Sequence, residues 1–155
     1  MKVSEIMSTS VKTVTATTSI NEVSMTMCFN QISGLPVLND GGDIVGIISE
    51  KDVLRAMYPA IGEYMEEGQF DFETLESSYT DVLNNTVGDL MTTSVYTIDP
   101  DMPVLKAVSI MCVNKVRRIP VAKDGKLVGI VSIGDVHKAI FKDSLSPEPA
   151  LAAQA

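Results

Sequence analysis

Tryptophan is absent from this 155-residue chain, histidine occurs once, cysteine twice, and aromatic residues make up only 5% of positions. A lone imidazole, His137, cannot form a paired-histidine metal site, and neither Cys28 nor Cys112 belongs to a Cys-x-x-Cys or Cys/His ligand pattern. No metal centre and no disulfide framework is expected, and each cysteine reads as a small buried hydrophobe in a reducing compartment. Gly-x-Ser-x-Gly, a Walker loop and His-Glu-x-x-His are missing too, so nothing supplies the nucleophile or acid–base set of a reaction. The chain therefore reads as no enzyme. No apolar run approaches the roughly 18 residues needed to cross a bilayer. Cations are scarce: 12 Lys and Arg against 20 Asp and Glu leave a net charge of −8. That balance disfavours nucleic acid and anionic membrane surfaces as partners. The opening Met1-Lys2-Val3-Ser4-Glu5 lacks the basic, apolar and small-residue succession of an export signal, so a cytoplasmic location is expected.

Apolar residues, by contrast, make up 45% of the chain, and they are arranged in a repeat. Shifted so that Val3 lies over Val87, VSEIMSTSVKTV matches VGDLMTTSVYTI, and Met27–Gly41 falls on Met111–Gly125. After Gly42 is deleted, IVGIISEKDVLRAM falls on LVGIVSIGDVHKAI. About 20 of roughly 55 aligned positions are identical, which marks a duplicated unit. In the first copy Ser19 and Glu22 form a capping pattern ahead of Ile20, Val23 and Met27. In the second, Pro103 precedes Val104, Ala107, Val108 and Met111. A helix is predicted in each. Hairpins follow, from Leu35 to Ile48 and from Ile119 to Val131, turning at Asn39-Asp40-Gly41-Gly42 and at Lys123-Asp124-Gly125. A second helix begins near Glu50 and near Gly134.

The predicted fold class is α/β of the α+β type: two repeats, each a short sheet with flanking helices, packed by a pseudo-twofold axis. The repeats span residues 1–57 and 87–143. Clefts between such halves are favoured ligand sites. The linker, 58–86, holds seven acids and no Lys or Arg, and five of the eight aromatic residues. Its Phe72, Leu75, Tyr79, Val82 and Leu83 form an amphipathic stripe after an Asp71 cap, expected to pack on the module or its dimer mate with the acids as a solvated face, the alternative being a docking site for another protein. The Pro/Ala-rich tail, 144–155, has no core pattern and is expected to fray.

The repeated Gly-Ile-Ile-Ser-x-x-Asp (Gly46 to Asp52) and Gly-Ile-Val-Ser-x-x-Asp (Gly129 to Asp135) set a Ser and an Asp at the start of a helix. Such a pair can cap the helix. It can equally offer a carboxylate to both hydroxyls of a ribose, with the serine and free N–H groups toward phosphate or sugar oxygens. Gly46 and Gly129, lacking side chains, would let a ligand approach the strand.

The succession of Met-x-x-x-Val-x-Thr, helix, Leu/Ile-Pro-Val, Asp-Gly and Val-Gly-Ile-Ile/Val-Ser-x-x-Asp, present twice over about 110 of the 155 residues, resembles the CBS domain. The resemblance implies a regulatory pair of domains that binds AMP, ADP, ATP, S-adenosylmethionine or a related adenosyl compound between its sheets, dimerises, and controls a partner protein. It implies that Ser49 and Asp52 serve one cleft and Ser132 and Asp135 the other, each aspartate on the ribose. Thr13 with Val14, and Thr97 with Ile98, match the segment lining the adenine. Ile47 and Ile130 would pack on the base, and the residues before Pro36 and Pro120 would approach phosphates. There the copies differ, since Arg117 and Arg118 precede Ile119-Pro120 where Ser33 and Gly34 precede Leu35-Pro36. The second site is expected to take phosphate and the first to be empty or to hold a ligand of little charge. The alternative is a ligand-independent dimerisation or protein-interaction module. A homodimer is expected on either reading.

Overall fold

The computed structural model describes residues 1–57 and 72–146. Tyr58, Tyr64, Phe70, the acids at 63, 66, 67 and 71 and the tail beyond 146 lie outside them. The elements are α1 (Ile20–Asn30), the strands β1 (Gly34–Leu38) and β2 (Ile44–Ser49), and α2 (Glu50–Arg55). After the linker come α3 (Phe72–Val82), the short α4 (Val87–Leu90), α5 (Val104–Val113), β3 (Arg118–Lys123), β4 (Lys126–Ser132) and α6 (Ile133–Leu145). The predicted class is what is seen: helices with short antiparallel sheets. The helix begun at Gly134 in the sequence reading carries through Ser144 and Leu145, two residues assigned to the tail.

The compact units of the fold do not start where the repeats start. One unit is continuous, Lys12–Val95; the other is composite, joining Met1–Val11 to the chain from Tyr96 on. The opening segment of each repeat is thus built into the unit that holds the other repeat's hairpin.

In the continuous unit, Ser19 caps α1, accepting from the Glu22 N–H, and Ile20, Val23 and Met27 turn inward. β1 and β2 pair antiparallel, with Leu35 opposite Ile48 and Val37 opposite Gly46. Val14 adds a parallel bridge beside β1: its N–H donates to the Pro36 carbonyl at 3.1 Å and its carbonyl accepts from Leu38 N–H at 2.9 Å. That bridge never calls on a Pro36 N–H, which explains how proline is tolerated inside the sheet. Thr92 closes the other side, exchanging two 2.9 Å hydrogen bonds with Ile47. The core gathers Ile20, Val23, Met27, Leu35, Val37, Ile48, Val53, Val82 and Val87. Tyr79 and Leu83 pack against it, so the linker stripe, where it is described, is part of this core.

The composite unit repeats the plan. β3 pairs β4, with Ile119 opposite Val131 and Val121 opposite Gly129. Asp124 and Gly125, both at positive φ (52° and 79°), make the tight turn. Ile98 bridges beside β3 through the Pro120 carbonyl and Ala122 N–H, and Ser8 exchanges two 2.9 Å bonds with Ile130. Val3, fully buried, takes the place that Val87 takes in the other unit, and sits with Ile98, Val104, Ala107, Met111, Ile119, Val121, Val131 and Val136. Val3 N–H donates to the Met102 carbonyl, as Val87 N–H donates to that of Thr18.

Two expectations are corrected here. Cys28 and Cys112 are exposed, not buried: Met27 and Met111, one residue earlier on α1 and α5, take the inward positions. Gly46 and Gly129 are not openings for a ligand. A Cβ on Gly46 would lie 2.8 Å from Met91 Sδ and 2.9 Å from the Thr92 carbonyl oxygen. One on Gly129 would lie 2.6 Å from Met7 Sδ and 2.9 Å from the Ser8 carbonyl oxygen. What approaches each glycine is the opening segment of a repeat.

Candidate functional site

Each unit brings its Ser-x-x-Asp to the corner where the second hairpin strand becomes a helix. In the composite unit the Ser132 N–H and hydroxyl both donate to Asp135 Oδ2, at 2.8 Å each, and Asp135 N–H donates back to Ser132 Oγ at 3.1 Å. This is the complete capping box that starts α6. It consumes one carboxylate oxygen. Asp135 Oδ1 has no hydrogen-bond partner among the described residues, so the cap leaves one carboxylate oxygen open as an acceptor.

The hairpin register sets Arg118 directly across from Ser132. Arg118 is half-buried, and Arg117, exposed, fixes the corner through its carbonyl, which accepts from Ile133 N–H at 2.9 Å. Among the described residues neither guanidinium has a hydrogen bond or a carboxylate partner. A cation held beside a helix start without an anion of its own is a place for a phosphate or carboxylate. Pro120 is buried and Ile130 half-buried, the two facing each other across the hairpin. Thr97 is exposed, but Ile98 is 3% exposed and belongs to the core, with both its peptide groups bound by β3. Of these two residues only Thr97 offers a side chain to solvent.

The continuous unit has the same corner with different equipment. Ser49 N–H and Oγ donate to Asp52 Oδ2 at 2.9 and 3.0 Å, and Asp52 N–H returns to Ser49 Oγ at 3.3 Å. Gly34 stands across from Ser49, in the place of Arg118, and the Ser33 carbonyl accepts from Glu50 N–H. Ser33 and Gly34 bring no cation to the two arginine positions. Thr13 is exposed, Val14 and Ile47 are half-buried, and both peptide groups of Val14 are taken by β1. One contact has no signal in the sequence: Thr92 Oγ1 donates to Asp52 Oδ1 at 3.0 Å. The corresponding Ser8 makes no such bond, although its backbone is placed alike.

Among the described residues no three His, Cys, Asp or Glu side chains gather as a metal site, and no helix is long and apolar enough to cross a membrane. His137 is exposed on α6.

The family model described as "CBS domain" matches residues 3–59 and again 87–142. An uncharacterised protein of Methanocaldococcus jannaschii is 34% identical over 126 residues, 72% of this chain and 75% of its own length. The chloroplastic CBS domain-containing protein CBSX1 of Arabidopsis thaliana is 28% identical over 139 residues, and there the match spans 57% of the relative. Thus the chain spans little more than half of that plant protein. Among solved structures, CBSX2 in complex with AMP superposes with a TM-score of 0.72 at 27% identity, over 92% of this chain and 98% of that one. The CBS domain of a Sphaerobacter thermophilus membrane protein superposes with a TM-score of 0.69 at 31% identity, covering 89% of this chain and 86% of that one.

Proposed function

The chain belongs to the CBS domain family and carries the domain twice; from that premise we propose that it is a non-catalytic regulatory module that senses an adenine nucleotide or related adenosyl compound. The observation that carries this reading is the composite unit's corner. An unpartnered Asp135 Oδ1 stands ready for ribose hydroxyls, and Arg118, without an anion of its own, stands across from Ser132 for phosphate. The AMP complex of the similar CBSX2 supports the ligand class. Ser132, Asp135, Arg118, Arg117 and Thr97 are the contacting residues proposed there, with Ile130 against the base. No cofactor is needed, since the ligand is the signal.

A homodimer is part of the proposal. Phe29 and Val113, equivalent positions on α1 and α5, are each 80% exposed, and such apolar side chains favour burial against a second copy. A regulated protein partner is the other element.

Calorimetric titration tests the site. Arg118→Ala is expected to weaken AMP and ATP about tenfold, the worth of one charge-assisted hydrogen bond, and to leave adenosine nearly unchanged. Asp135→Ala is expected to weaken all three. Equal losses for AMP and adenosine in Arg118→Ala would assign that arginine to the fold. Absence of binding by AMP, ADP, ATP, S-adenosylmethionine and adenosine to the wild type would overturn the sensor reading in favour of a pure interaction module.

A further inference from the structure

The two corners differ in more than their cations, because the acceptor itself is engaged in one and open in the other. In the continuous unit all three donors around Asp52 come from the chain: Ser49 N–H and Oγ on Oδ2, and Thr92 Oγ1 on Oδ1. In the composite unit the same box leaves Asp135 Oδ1 without a partner among the described residues. Thr92 and Ser8 are equivalent residues of the repeat, and both backbones are fixed by paired 2.9 Å hydrogen bonds to β2 and β4 respectively. What separates them is the side chain. The branched Cβ of threonine narrows its χ1 choices, so its hydroxyl loses less freedom on being held at the carboxylate than that of serine does.

We propose that Thr92 is a specificity-determining residue: its hydroxyl occupies the oxygen of Asp52 that would otherwise accept a ribose, closing the continuous unit's corner and leaving the chain with one ribose site, at Asp135. This rests on the adenosyl-sensing reading above, and it extends it from ligand class to site number. With Oδ2 already holding two donors, the Thr92 hydroxyl leaves Asp52 Oδ1 one acceptor position where Asp135 Oδ1 has two. A ribose that brings two hydroxyls must therefore displace the threonine hydroxyl to seat both, and there it gains a hydrogen bond of the same kind as the one it breaks. No arginine compensates, because Gly34 stands where Arg118 stands in the other unit. The closure therefore selects against neutral and charged adenosyl compounds alike.

Adenosine titration by calorimetry is the test, since its ribose engages the aspartate without phosphate. Wild type is expected to show one site per chain, and Asp135→Ala is expected to remove it. Thr92→Val keeps the branched shape and the backbone pairing while deleting the hydroxyl. In the Asp135→Ala background it is expected to restore adenosine binding, with an affinity at least about tenfold above that of Asp135→Ala alone. A purely structural role for Thr92 would lower the urea midpoint and leave binding absent, and that result overturns the proposal. If Thr92→Val does not fold, Ser8→Thr addresses the same device from the other side. It is expected to weaken adenosine about tenfold, and unchanged affinity overturns the proposal. Failure of the underlying reading looks different, because wild type and variants would then all bind neither adenosine nor AMP, and both proposals fall together.

Discussion

Replacing Gly129 with alanine tests the joint between the opening segment and the composite unit. The added Cβ would lie 2.6 Å from Met7 Sδ, 2.9 Å from Met7 Cγ and 2.9 Å from the Ser8 carbonyl oxygen. The thioether can swing aside. The carbonyl cannot, because it accepts from Ile130 N–H at 2.9 Å while Ser8 N–H donates to the Ile130 carbonyl at 2.9 Å. Relief requires the segment to back away, straining two hydrogen bonds worth about 0.5–1.5 kcal/mol each, on top of an overpacking cost of about 1–3 kcal/mol. The expected net loss is about 2–6 kcal/mol, read from urea unfolding by linear extrapolation. Hydrogen exchange should accelerate at the Ser8 and Ile130 amides before it does elsewhere in the unit. Adding Met7→Ala should recover only the side-chain part of the loss. Stability within about 0.5 kcal/mol of wild type, with both amides still protected, would refute the close approach.

The capping boxes give a second expectation: Ser132→Ala should cost about 1 kcal/mol through loss of the α6 cap, seen as a lower melting temperature, and an unchanged melt would contradict it. The exposed Lys2–Asp101 pair, 2.9 Å apart, predicts a pH effect on the opening segment. The Lys2 hydrogen bond, then its charge, holds the Asp101 carboxyl below its ordinary 3.8. Because that value is depressed on folding, the contribution is present above 3.8 and lost as pH falls below it. Protection factors of residues 1–11, corrected for the intrinsic pH dependence of amide exchange, should therefore fall more steeply with acid in wild type than in Asp101→Asn, and parallel profiles would discount the pair. Finally, Cys28, which lines a groove of about 310 Å³ with Met27, Val53, Leu54 and Tyr79, and Cys112 should both react with a thiol reagent without denaturant wherever the chain is monomeric. Protection of either would contradict its exposure.

The features that the sequence revealed are those coded locally. Ser19, Ser49 and Ser132 announce helix starts because a cap needs only residues within one turn, and the hairpins follow from turn residues bounded by apolar runs. The exchange of opening segments was illegible for a reason built into the repeat. Met7-Ser8 and Met91-Thr92 are near-copies in near-copied surroundings, so either could pair with Gly46 or Gly129 on sequence grounds alone. The glycines signalled close approach correctly, but only the fold shows that a backbone carbonyl does the approaching. α1 misled on Cys28 because Met25, Met27, Cys28 and Phe29 spread apolar character around the helix, and the pattern does not single out a buried face. The Arg118 position was legible through its offset from Pro120. The Thr92 hydrogen bond spans 40 positions and carries no motif.

The exchanged segment also sets an order of assembly during synthesis. The continuous unit, Lys12–Val95, has every strand and helix of its core once Val95 clears the ribosome. Met7 and Ser8 emerge long before it, yet Gly129 and Ile130, against which they close, are made about 120 residues later. At about 5–20 residues per second that is a wait of roughly 6–25 s, during which Val3 and Met7 have no native core to enter. The nearest look-alike surface in that interval is the Gly46 strand of the same nascent chain, whose own partner, Met91-Thr92, follows some 45 residues after it. The native occupant of that strand carries a bond that the first segment lacks in its own unit: the Thr92 hydroxyl donates to Asp52, and Ser8 makes no such bond to Asp135.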